Sequence, residues 1–255
     1  FVQTGNVGGA GNSGSISLDT GTSVGGSSGA FVISTGKANG VSGNILISVG
    51  DSNGASGGNV ILKGGYSLDN TGGGISLTSG GSKNSKSGNL MVISENGSFR
   101  GGSGNVMLAT GTTNAGNSGS IVINTGSVQS EGAQSGNILL KVGNADGNNG
   151  GNIAFNAGKS QSDYGGSILL KSGNSQTLNS GKVVFSSANS GVEGSSGSIE
   201  IGSGTSNAGN SGSVLISSGY SNEGRGGNID IIVGNSGSGA GGNLQAHAGN
   251  SISGT

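Results

Sequence analysis

The amino-acid sequence predicts an all-β fold, a parallel β-solenoid of about sixteen tandem 15-residue strand-turn repeats. Two observations carry this prediction. A motif of glycine and two spaced apolar residues recurs sixteen times. No stretch has an apolar period of 3.6 residues that is long enough to indicate a helix. The stretch 136–143, which reads GNILLKVG, represents one copy. Because one such unit cannot bury its own apolar face, the repetition predicts copies that stack on one another.

Each copy is numbered here from its first apolar residue, the anchor, which is position 0. Most anchors follow the preceding one at a 15-residue step, and the extreme steps are fourteen and seventeen. The regular spacing assigns one strand to each copy. The anchors are Ile16, Phe31, Ile45, Val60, Ile75, Leu90, Val106, Ile121, Ile138, Ile153, Ile168, Val183, Ile199, Val214, Ile229 and Leu244.

Apolar side chains at positions 0 and +2 predict one buried face of each strand. Residues i and i+2 of a strand lie on the same face, and Val, Ile, Leu and Phe suit a pleated, half-buried surface. Position +2 is apolar throughout, and its weakest member is Ala246. The predicted core includes Ile16, Leu18, Ile45, Ile47, Ile121, Ile123, Ile138, Leu140, Ile168, Leu170, Val214 and Ile216.

Glycine marks both ends of each predicted strand. Position −2 is Gly in all sixteen copies, and the residue before it is always Ser or Gly. Position +5 is Gly in fourteen copies, with Glu95 and Ala188 as the exceptions. We interpret position −2 as the place where the coil turns tightly or another backbone comes near. Among these repeat glycines are Gly14, Gly43, Gly58, Gly136, Gly166, Gly212 and Gly227.

The number of strands in each coil is predicted from position +1, which points outward. This position is apolar in seven of the eight even-numbered copies but in four of the eight odd-numbered ones. The alternation favours a 30-residue coil with two strands facing each other about 10 Å apart. A 15-residue coil and a three-sided 45-residue coil remain as alternatives.

Residues 1–255 are predicted to form one continuous repeat domain, without a linker or a domain boundary. Phe1 begins inside one repeat and Thr255 ends inside another, and neither end has the polar cap expected of an isolated solenoid. We therefore interpret the chain as part of a longer array.

Composition excludes several classes of protein. The 61 glycines have no three-residue period, which argues against collagen, and the spaced apolar pairs argue against disorder. The formal net charge is −1, so there is no basic field for nucleic acid. No apolar run reaches eighteen residues, which argues against a membrane span. Without cysteine, disulfides cannot stabilise the fold.

The sequence predicts no catalytic, cofactor-binding or metal site. We interpret the Glu side chains as solvated charges. His247 has no Cys, Ser or carboxylate nearby in a catalytic arrangement. The Asp residues do not recur at one repeat position, as regular calcium sites would require. Gly-x-Gly-x-x-Gly patterns arise freely at this glycine content and precede no helix. Asn96, in the only Asn-x-Ser/Thr sequon, is a candidate N-glycosylation site if the protein is secreted.

Asparagine recurs immediately before the anchor in eight copies. Stacked at one position of the coil, such residues form amide ladders, whereas the rival interpretation is turn chemistry alone. The eight are Asn44, Asn59, Asn89, Asn105, Asn137, Asn152, Asn228 and Asn243.

In the style of its repeats, the whole chain resembles the Gly/Ser/Asn-rich tandem-repeat β-solenoids of secreted fibres and surface proteins, including repetitive extracellular proteins of diatoms and related algae. This resemblance implies a non-enzymatic, extracellular, structural role. Our hypothesis is therefore a subunit of a self-assembling filament or matrix fibre, built from end-to-end stacking of solenoid coils. Its partner would be the chain itself, head to tail, with lateral packing as a further option.

Two alternatives remain, the repetitive stalk of a cell-surface adhesin and an ice-binding solenoid. Ice binding predicts ranks of threonine on one face. Thr20, Thr35, Thr78, Thr110 and Thr125 fall at differing or interrupted positions, which disfavours it.

Overall fold

A computed structural model describes residues 1–98, 101–130, 132–147 and 149–250. Within these ranges there is no α-helix and no β-strand. By its internal contacts the chain divides into two units, Phe1–Asn124 and Thr125–Thr255.

The 15-residue repeat is present as an alternation of bends and straight segments. A bend or turn precedes each anchor by about six residues, for example at 24–26, 68–70 and 207–209. Between successive loops lies one segment without a bend, called the straight segment, which covers positions −1 to +4, as in 152–157 and 213–218, and contains one anchor. The 15-residue period predicted from the sequence is therefore present in the structure as a regular succession of loops.

The prediction of a β-solenoid is wrong for the described residues. They contain no sheet, so there are neither 15-residue strands nor 30-residue coils with two strands, and the 15-residue and 45-residue alternatives fail for the same reason. The physical cause is that the apolar pattern favours an extended backbone but does not supply its hydrogen-bonding partner. The backbone–backbone hydrogen bonds that the structure contains lie at the loops and leave the straight segments unpaired within the chain.

The predicted core is also not formed. No described residue is buried, and all twelve predicted core residues are exposed. The accessible surface is 25895 Å² for 24.0 kDa. A compact monomer of that mass would expose about 10,000 Å² and an unfolded chain about 35,000 Å². The fold thus leaves most of its apolar surface accessible.

Exposure nevertheless alternates along the straight segments as the apolar pattern predicts. Anchor exposure runs from 49% at Ile153 to 66% at Leu244. The large apolar side chains at position +1 are more exposed, from 66% at Val184 to 86% at Leu169. This period of two indicates an extended backbone whose positions 0 and +2 share the more sheltered face.

Candidate interaction surface

Several loops close at their base, where two glycine positions meet. In four loops the backbone N–H of the Gly at position −2 donates to the carbonyl of the Gly at position +5 of the preceding copy. The four pairs are Gly73 to Gly65 at 2.8 Å, Gly88 to Gly80 at 2.9 Å, Gly166 to Gly158 at 2.9 Å and Gly181 to Gly173 at 2.9 Å. In these four loops the glycines that flank successive predicted strands are therefore partners across the loop.

Close approach accounts for the glycine at position −2 in several copies, although a Cβ on Gly29 would meet nothing within 4 Å. A Cβ placed on Gly73 would lie 2.9 Å from the backbone N of Gly65, and one on Gly58 would lie 2.8 Å from Val49 Cγ1. Real Cβ atoms do not come this near, so a larger residue would displace the chain. The interpretation that another backbone comes near holds at Gly73, whereas at most copies the neighbour is a side chain.

The other repeat glycines are less crowded, and a Cβ on Gly43 or Gly136 would make only ordinary van der Waals contact. In each case a Cβ would lie near the residue at the base of the loop. The distances are 3.1 Å for Gly14 to Thr4 Cγ2, 3.7 Å for Gly43 to Thr35 Cγ2, 3.5 Å for Gly136 to Thr125 Cγ2, 3.1 Å for Gly166 to Gly158 N, 3.3 Å for Gly212 to Ser203 Cβ and 3.4 Å for Gly227 to Ser218 Cβ.

The glycine at position +5 has a different character. A Cβ placed on Gly50, Gly65 or Gly143 would meet nothing within 4 Å. This open space explains why Glu95 and Ala188 replace Gly at this position, whereas no copy replaces Gly at position −2.

Sequence reasoning missed position +4, which faces the position −2 glycine of the next copy. Its side chains are among the most sheltered in the structure, as Val142, at 37% exposed, shows. The signal was available, because position +4 is always Thr, Val, Ser, Ala or Gly. Four of the five threonines weighed for ice binding, all except Thr78, occupy this one position.

A second overlooked position is −8, where Ser or Thr stands in twelve of sixteen copies. In seven loops its Ser Oγ accepts a hydrogen bond from the backbone N–H three residues later, at 2.9–3.0 Å. Ser160, which accepts from the Asp163 N–H, is one example. Short hydroxyl side chains commonly close turns in this way. The serines are Ser23, Ser67, Ser82, Ser160, Ser175, Ser206 and Ser221.

Some loops close differently. The hydroxyls of Thr113 and Ser236 donate to the carbonyls of Ala115 and Ser238, and each loop continues into a glycine with positive φ. Those glycines are Gly116, at φ 95°, and Gly239, at φ 104°. Positive φ is a conformation that glycine adopts at little cost. Glycine thus supplies the positive φ that these two bends require.

Consecutive copies bring their apolar side chains together beyond the loop base. Phe185 of one copy and Ile199 and Ile201 of the next line a concave space of about 390 Å³, together with Glu200. A second concavity, of about 500 Å³, is lined by Thr125, Ser127 and Val128 among others. The first concavity shows that neighbouring copies can face each other through side chains.

Chemistry-bearing residues are scattered over the described part of the chain. Within it, no three His, Cys, Asp or Glu residues gather as a metal site would require. The described ranges also contain no helix long and apolar enough to cross a bilayer. Asn96 is exposed, and after its sequon the Gly101 N–H donates to the Ser98 carbonyl at 3.0 Å. Glu131, one of the Glu side chains interpreted as solvated charges, lies outside the described residues. Glycosylation of Asn96 stays a prediction.

Comparison with known proteins adds no relative. No protein-family model matches the chain, and no curated protein or solved structure matches it either.

Proposed function

We propose that this chain is a non-enzymatic structural protein whose copies associate into an extracellular filament or matrix fibre. The observation that carries the proposal is the uniform exposure of the anchors, which stays between 49% and 66% in all sixteen copies. Large exposed apolar patches are typical of interaction sites. Here the patch recurs with every repeat, so a partner that fits one copy fits the others.

The surface area supports association with further copies. The chain exposes 25895 Å², about 2.6 times what a compact monomer of its mass would expose. Ordering the chain costs about 1–2 kcal/mol for each residue, and burial of apolar surface is the main opposing term. An ordered form of this chain therefore needs cover from outside itself.

Charge supports contact between identical chains. The formal net charge is −1 and charged residues are 8% of the sequence, so copies repel one another weakly. The end-to-end stacking of solenoid coils is no part of the proposal, because the described residues contain no coil.

Analytical ultracentrifugation of the purified full chain between 0.1 and 50 µM (an order-of-magnitude range around common dissociation constants), with negative-stain electron microscopy of the same samples, tests the proposal. We expect concentration-dependent assembly into elongated particles. A monomer throughout this range would overturn it.

A further inference from the structure

The straight segments carry backbone groups that the chain itself does not pair. Every residue here has one backbone donor and one acceptor, since proline is absent. The six backbone–backbone hydrogen bonds among the described residues all lie at loops. The straight segment 213–218, like the other described ones, is therefore open to a partner between its loop-base glycines.

Neighbouring copies of one chain cannot supply this partner in the observed geometry. They approach through side chains, as the Val49 side chain beside Gly58 and the concavity between Phe185 and Ile199 show. In an extended backbone the side chains are perpendicular to the direction of inter-strand hydrogen bonding. Apart from the loop-base glycines, whose backbones do pair between neighbouring copies, the side chains of a straight segment face the neighbouring copy and its N–H and C=O groups are directed away from that copy.

We propose that copies of this chain stack in parallel and in register, each straight segment pairing its backbone with the same segment of the copies above and below. This inference rests on the proposed function and names the arrangement of its partner. The sheets would exist only between copies, with a spacing of about 4.7–4.8 Å. Unpaired extended segments are ready templates for such pairing.

Register follows from the sequence. In-register stacking places apolar residues over apolar residues and glycines over glycines, so the close approach at each loop base is preserved in every layer. It also stacks the eight asparagines at position −1, such as Asn44 and Asn137, into amide ladders.

The distribution of charged residues is compatible with stacking each residue over the same residue of the next copy. Positions 0 to +4 of the sixteen copies contain six Asp, Glu or Lys residues. The four consecutive copies from Ile75 to Thr125 contain none in these positions, so stacking brings no like charges together there. The six are Asp19, Lys63, Lys141, Lys171, Glu200 and Asp230.

Spin labelling tests the arrangement. Because the chain has no native cysteine, a nitroxide attaches only at the cysteine that is introduced. A nitroxide is attached to the full chain with Val122→Cys, a position in the uncharged region whose side chain is 78% exposed. In assembled material we expect the three nitroxide lines to collapse into one exchange-narrowed line. Tenfold dilution with unlabelled chain, an order-of-magnitude choice that separates labels along a stack of about 4.8 Å spacing, should restore three lines.

The outcomes separate the two proposals. Assembly with three resolved lines at full labelling, at Val122→Cys and at the loop variant Ala115→Cys, would overturn in-register stacking and leave the structural role standing. No assembly of the unlabelled chain would overturn both. Fibre diffraction of the same material should show a meridional reflection near about 4.7–4.8 Å.

Discussion

The loops and the straight segments of each repeat satisfy their backbones in different ways. At the loops, serine hydroxyls and paired glycines supply hydrogen bonds within the chain, as Ser67 and the pair Gly65–Gly73 do around one bend. The straight segments between them hold the large apolar side chains, yet they stay exposed and their backbones find no partner in the described chain. The comparison teaches that the loops satisfy backbone hydrogen bonds locally, whereas the straight segments would need a partner from outside the described chain.

The largest expected effect comes from charging three straight segments. The combination Ile138→Asp, Ile153→Asp and Ile168→Asp should abolish assembly at concentrations where the parent chain assembles, because stacked carboxylates repel and apolar burial is lost. The control Asn144→Asp, Asn149→Asp and Asn174→Asp adds the same charge near the bends. Sedimentation of both sets should show loss in the first and near-parent behaviour in the second; equal loss in both would contradict the contrast.

A substitution at the loop base should be the next largest. Gly73→Ala places a Cβ 2.9 Å from the backbone N of Gly65, whereas Gly65→Ala has open space. We expect the first to raise the critical concentration for assembly about 5- to 150-fold, which corresponds to an overpacking cost of about 1–3 kcal/mol. We expect the second to be neutral or slightly stabilising, because alanine restricts the unfolded chain. Similar critical concentrations for the two variants would refute the account of position −2.

A glycine with positive φ offers a smaller effect within a bend. Gly54, at φ 112°, has no neighbour within 4 Å, so Gly54→Ala tests backbone conformation alone. We expect a cost of about 1–2 kcal/mol. The control Gly50→Ala, in open space at an ordinary φ, should leave the critical concentration near that of the parent. An unchanged critical concentration for Gly54→Ala would contradict the observed bend.

The smallest effect is expected from removing one turn hydroxyl. Ser160→Ala leaves the Asp163 N–H without its acceptor, at a cost of about 0.5–1.5 kcal/mol. Ser162→Ala removes a hydroxyl from the same bend that makes no side-chain hydrogen bond in the structure, and it serves as the control. Hydrogen exchange at the Asp163 amide should accelerate in the first variant only; equal acceleration in both would argue against the serine turn.

The repeat was correctly predicted from the sequence, but the β-sheet and the buried core inferred from it were wrong. The anchors, the invariant glycine and the 15-residue spacing all correspond to features of the structure, since each straight segment contains one anchor. The sheltered position +4 and the turn serine at −8 are equally regular, but their side chains are mostly small or polar and lie outside the pattern of large apolar residues. The β-solenoid was wrong because residues such as Ile138 and Leu140 favour an extended backbone without specifying which backbone pairs with it.

By itself, the sequence determined where the chain bends and which face of each straight segment is apolar. Both depend on neighbours within a few residues: Ser160 reaches a backbone amide three residues on, and Gly166 meets Gly158 across one loop. Only the tertiary structure decided that these segments remain unpaired and exposed. Pairing is a relation between distant backbones, and the same alternating pattern is satisfied by a strand of its own chain or by one of another copy.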